Sequence, residues 1–193
     1  MLQNLMSPDN ALRSQAESYF NAQVESNSIE ITQNLVQILS NKESDLILRS
    51  FAGILLRRSL DRVSSVVGPD VVSQLRAALM QIFMTEESKV ILKRISHAMA
   101  QSASDGTWPD LLPSLIAQSQ QNQQQSDALI AILNLIEIVS EYSSDDIVKN
   151  LTVIGGFLAS LLTASDINVQ IACAKASGAC IVTLEDDSAR ESF

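Results

Sequence analysis

Residues 70–83 read DVVSQLRAALMQIF. Val71, Val72, Leu75, Ala78, Leu79, Ile82 and Phe83 recur at the intervals that place them on one stripe of an α-helix. Asp70, Ser73, Gln74, Ala77 and Gln81 take the other side. Pro69 suits a first helical turn, where its missing N–H is no loss, and Gly68 breaks the chain ahead of it. The same spacing returns at Ile147, Leu151, Ile154, Leu158 and Leu161, and no alternating run is long enough to compete as a strand. Six glycines and four prolines in 193 residues leave room for long helical runs. The chain is predicted to be all-α.

Start and stop signals arrange these helices in pairs. The first pair covers 8–23, opened by Ser7-Pro8-Asp9, and 28–40; the second covers 45–62 and 69–84. The third covers 87–103 and 108–121, the latter capped by Thr107, and the fourth 126–142 and 145–163. A further first helix runs from about 166 to 184. First helices therefore begin near 8, 45, 87, 126 and 166, a period of 37 to 42 residues. That is the period of HEAT and armadillo arrays, in which each pair buries its stripe on its neighbours. The rival is a compact bundle, but runs such as 46–56 and 129–139, apolar on more than one side, suit the middle of a stack. The expected fold is an α-solenoid of HEAT repeats, a right-handed superhelix of about four and a half repeats. Their bounds fall near 1–42, 43–85, 86–123, 124–164 and 165–193, the last incomplete, in a single array. Only EDDSARESF follows the last helix, with no polar capping helix, so the chain reads as the N-terminal fragment of a longer array. An apolar patch near Val169, Ile171 and Ile181 is then expected to be exposed and to drive self-association.

Charge narrows the function. The net charge is -9, and it is uneven: residues 1–100 hold ten Lys/Arg and ten Asp/Glu, while residues 101–193 hold three and twelve. A nucleic-acid surface needs a basic stripe, and this distribution excludes one. No window approaches 18 uncharged apolar residues, so no membrane insertion is expected, and the start MLQNLMSPDN lacks the basic and apolar regions of a signal peptide. Cys173 and Cys180, seven apart in an Ala-rich run, read as buried small residues in a reducing, intracellular setting.

Reactive groups are few. The one histidine, His97, lies mid-helix, and the glycines form no phosphate-cradling pattern; Gly155-Gly156 reads as a close packing point or a kink. The carboxylate pairs Glu86-Glu87, Asp145-Asp146 and Asp186-Asp187 sit at predicted helix ends, where capping explains them. Arg57-Arg58 falls in the last turns of a predicted helix, again favourable for the dipole, and QSQQNQQQ at 118–125 reads as a polar connector. Neither an enzyme nor a cofactor is expected.

Three strings say more. SPDNALRSQAESYF at 7–20 resembles the first HEAT helix of the importin-β family of nuclear transport receptors. SFAGILLRRSL at 50–60 resembles the second-unit helix of that family, an Ala-rich stretch running into Leu-Leu-Arg-Arg. ISHAMAQSASDGTWPDLLPSL at 95–115 resembles the third unit, an Ala-rich helix leading through a short loop to Trp-Pro-Asp-Leu-Leu-Pro. Their order and separation match as well, most nearly those of the karyopherin beta-3 (importin 5) branch. The resemblance covers residues 1–116; beyond them the repeat period alone carries it.

The resemblance implies a receptor that shuttles between cytoplasm and nucleus and whose first repeats hold the GTP-bound form of the small GTPase Ran. It implies that second helices line the concave side, that Phe-Gly nucleoporins dock through later repeats, and that basic cargo proteins bind acidic inner surfaces. The acidic second half then suits basic cargo. Combined with the helical pattern, it makes the polar sides of the second helices the Ran-binding candidates. These are Glu30, Gln33, Asn34 and Gln37; Asp70, Ser73, Gln74 and Gln81; and Asp110, Ser114 and Gln118. Leu55, Leu75, Leu79, Trp108 and Leu112 are expected in the core. The other reading of the same repeats is a generic HEAT scaffold, such as a phosphatase regulatory arm, with no Ran dependence.

Overall fold

The computed structural model describes residues 1–104, 107–121 and 126–184. Among them are eleven α-helices and no strand. They are α1 Leu2–Leu5, α2 Asn10–Ser26, α3 Ser28–Ser40, α4 Leu46–Val66, α5 Pro69–Thr85, α6 Lys89–Ala103, α7 Leu111–Gln121, α8 Ser126–Tyr142, α9 Ser144–Lys149, α10 Leu151–Leu161 and α11 Ile167–Thr183. Asp9 caps α2 by accepting from the Ala11 and Leu12 amides at 2.8 and 3.2 Å, and Asp45 caps α4 in the same way through Ile47 and Leu48. Each carboxylate satisfies amides that the first helical turn leaves without partners.

Two compact units divide the chain after Ser102, inside the stretch expected as the third repeat. In the first, α3 lies along α4, with Leu35 and Leu39 from one and Ala52, Leu56, Leu60 and Val63 from the other buried. α5 buries Leu75, Leu79, Ile82 and Phe83, and α6 buries Ile91, Ile95 and Met99. In the second, α8 packs along α11, and α10 touches both α7 and α11. α8 buries Ile132, Leu133 and Ile136 among others, and the buried side of α11 is Val169, Ala172, Cys173, Ala176 and Cys180.

Several expectations need correction. The helix predicted over 145–163 is two helices, α9 and α10, divided at Asn150. The Asn150 amide donates to the Asp146 carbonyl at 2.9 Å, so the side chain takes up an acceptor at the end of α9. Gly155 and Gly156 lie within α10 with nothing within 4 Å of where a Cβ would stand, so they mark neither a packing point nor the break. α4 continues to Val66, which puts Arg57-Arg58 in mid-helix rather than in its last turns. Thr107 does not open α7: its hydroxyl donates to the Ser104 carbonyl, and Trp108 to Asp110 precede the first helical residue. Val169 is buried, while Ile171 and Ile181 are half exposed as expected. Residues 122–125 of the Gln-rich connector, Asp186-Asp187 and the segment 185–193 lie outside the described residues.

Candidate functional site

The second helices α3 and α5 are neighbours in the first unit. On α3 the residues Glu30, Gln33, Asn34 and Gln37 are all exposed, at the spacing of one face, while Thr32, Leu35 and Leu39 turn inward. On α5 Asp70, Ser73, Gln74 and Gln81 are exposed, opposite Leu75, Leu79 and Phe83. Two adjacent helices thus carry eight of the predicted residues on solvent-facing sides. The remaining three belong to the second unit. Asp110 is exposed immediately ahead of α7, where its carbonyl accepts from the Ser114 amide at 3.0 Å; Ser114 and Gln118 are half-buried beside Leu111, Leu112 and Leu115. Of the residues expected in the core, Leu75, Leu79 and Leu112 are fully buried, and Leu55 and Trp108 are half-buried.

The rows on α3 and α5 are rich in amides and carry only two charges, Glu30 and Asp70, each in the first turn of its helix. Such a surface offers paired donors and acceptors to a polar partner while contributing little Coulomb attraction. The acids of the second unit are placed differently. Asp145 stands in the first turn of α9, 4.0 Å from Lys149, and Asp166 caps α11 by accepting from Asn168. Hydrogen bonds from the Ser126 side chain and the Asn168 amide hold the Asp166 carboxyl below its ordinary range. Asp146 is buried, with no hydrogen bond to either carboxylate oxygen. Part of the acidic excess therefore serves helix starts.

Two features of the first unit have no forerunner in the pattern reading. Arg49 and Glu86 form a buried ion pair, and Arg94 stands against Gly53. A signal for the first existed: Arg49 occupies the same stripe as Ala52, Leu56 and Val63, and an arginine on a buried stripe demands an acceptor. Among the described residues no group of three or more His, Cys, Asp or Glu could hold a metal ion, and no helix is long and apolar enough to cross a membrane.

No protein-family profile matches the chain. In an alignment of 131 positions that covers 60% of this chain, it is 24% identical to importin subunit beta-3 of Saccharomyces cerevisiae, of which it spans 12%. Its fold superposes on Kap121p bound to RanGTP with a TM-score of 0.77 at 22% identity, covering 99% of this chain and 18% of that one. On yeast importin-beta (Kap95p) the TM-score is 0.82 at 17% identity, covering 99% of this chain and 25% of that one. The helical pairs seen here therefore share the fold of these karyopherin HEAT-repeat solenoids, and the chain spans a minor part of the length of those relatives.

Proposed function

We propose that this chain supplies HEAT repeats of a nuclear transport receptor and that the exposed rows on α3 and α5 bind Ran in its GTP form, with Asp110, Ser114 and Gln118 of the second unit as further candidates. The observation that carries this reading is the fold match over 99% of the chain to Kap121p, a protein crystallised with RanGTP. The three strings at 7–20, 50–60 and 95–115 support it independently, because they stand in the family's order and separation. So does the exposure of the second-helix rows, which a polar protein partner needs. On this reading the chain is a binding protein that holds no nucleotide itself, works with basic cargo and pore proteins through its parent array, and moves between cytoplasm and nucleus.

The test is a calorimetric titration of the chain with Ran loaded with a non-hydrolysable GTP analogue, and in parallel with Ran-GDP. The expected result is binding near micromolar, about -8 kcal/mol, for the GTP form alone. A full receptor with further contacts on Ran gains effective concentration and binds more tightly. Equal binding to both forms means non-selective charge contact and removes the reading. If neither the chain nor its parent array binds, a generic HEAT scaffold is the better account.

A further inference from the structure

The first helices carry a second surface, independent of the Ran reading. Gly53, Ile54, Arg57, Arg58 and Asp61 on α4 and Arg94 and His97 on α6 line one pocket of about 500 Å³. On α4 these positions follow one helical face, and Arg94 and His97 stand one turn apart on α6. The two helices come together where Gly53 lacks a side chain: a Cβ there would lie 2.6 Å from the Arg94 Cβ. Arg94 is held in place, its Nε donating to the Ser50 hydroxyl at 3.1 Å. Arg57 and Arg58, one turn beyond Gly53, are exposed. Three arginines thus line the same pocket as one carboxylate, Asp61, on a chain whose net charge is -9.

A guanidinium has five N–H donors in a fixed fork, so one bond to a neighbour leaves capacity for a carboxylate held through two parallel bonds. Among the arginines lies an aliphatic group, Ile54, 45% exposed. An inorganic anion makes no use of Ile54, and a flat bilayer surface does not reach the half-buried Arg94 in a concave site. A peptide satisfies both features. We propose that the α4/α6 pocket docks a short acidic peptide segment bearing an aliphatic side chain, its carboxylates on Arg57, Arg58 and Arg94 and its aliphatic group on Ile54.

The probe is a fluorescein-labelled Asp-Glu-Leu-Asp-Glu peptide titrated with the whole chain and read by fluorescence anisotropy. Saturable binding is expected, weakened about tenfold or more in the R57A/R58A double variant, whose changed residues are exposed and whose helicity by circular dichroism should match the parent. Replacing the leucine of the peptide by glycine should weaken binding severalfold. The proposal is overturned if the peptide does not bind, if R57A/R58A binds it equally, or if the glycine peptide binds as well as the leucine one. Displacement by millimolar inorganic phosphate at constant ionic strength would reduce the pocket to a simple anion site, and stronger uptake onto phosphatidylserine vesicles would assign the arginines to a membrane; either overturns it too.

Discussion

Arg49 in the first turn of α4 donates through Nη2 to Oε2 of Glu86, the residue that ends α5, with both side chains buried (6% and 4% exposed). The arginine also donates through Nε to the Leu39 carbonyl at 2.9 Å, and the other Glu86 oxygen accepts from the Ser88 amide at 2.9 Å. One ion pair therefore joins the end of α3, the start of α4 and the connection from α5 to α6. Its value lies in mutual satisfaction, because either charge alone in that place is uncompensated. Arg49→Met leaves Glu86 buried without its cation and the Leu39 carbonyl without a donor. We expect a loss of about 3 kcal/mol, from the low end of the range for broken buried pairs because two backbone amides still reach Glu86. The double variant Arg49→Met/Glu86→Gln should lose less than the two single changes added together. Urea denaturation of the four proteins measures this, and strict additivity would show that the two side chains are not coupled.

The helices were legible because apolar spacing is local: Val71 to Phe83 announce α5 whatever they pack against. The exposed rows on α3 and α5 follow by complement, since the residues off the stripe have only solvent or a partner to face. What long-range geometry decides was not legible. Nothing local distinguishes Glu86, which meets Arg49, from Glu87 beside it. Gly53 is a close-approach glycine and Gly155-Gly156 is not, because the first faces Arg94 and the pair faces open space. Asn150 divides a helix whose apolar pattern runs on unbroken, since periodicity is blind to a side chain competing for a backbone acceptor. Arg57-Arg58 read as a dipole-favoured helix end only while α4 was expected to stop four residues early.

On α11, Ile167, Ile171, Ile181 and Val182 are exposed by 61, 51, 49 and 75%, and Gly178 between them is exposed as well. This is one face of the helix, opposite the side that packs on α8. Apolar area of this kind associates with whatever apolar surface it meets. The chain is expected to show a scattering mass that rises with concentration, and Ile171→Glu/Val182→Glu to hold it at the monomer mass. If the unsubstituted chain stays monomeric at high concentration, the association is disproved.

Burial pushes the Cys180 thiol up from an ordinary 9.0 to about 11, and burial likewise raises Cys173, whose Sγ donates to the Leu158 carbonyl. The thiolate is the reactive form, so both cysteines should resist alkylation at pH 8 until the chain unfolds. The sign for stability follows. A thiol that holds its proton more tightly when folded contributes fully below the unfolded value and loses that contribution as pH rises through the folded one. Between pH 9 and pH 11 the chain should lose up to roughly 3 kcal/mol on this account. Cys180→Ala should flatten that part of the pH–stability curve, and an unchanged slope would show that Cys180 does not set it.

The last expectation concerns the second-helix rows. Gln33, Gln37 and Gln74 are exposed, so changing them to arginine should leave stability within about 0.5 kcal/mol. If a polar protein surface seats on α3 and α5, three long cations introduced there disrupt its hydrogen bonds and its fit. Binding of Ran-GTP by Gln33→Arg/Gln37→Arg/Gln74→Arg should then weaken at least about tenfold, or about 1.4 kcal/mol. A general effect of added charge is separated by placing the same three charges on a first helix, as Gln15→Arg, Ser18→Arg and Ala22→Arg on α2, where all three residues are exposed. These controls should bind as the parent does. If they weaken binding as much as the row variant does, the effect is long-range repulsion, which salt will screen, and the rows on α3 and α5 lose their claim to be the contact surface.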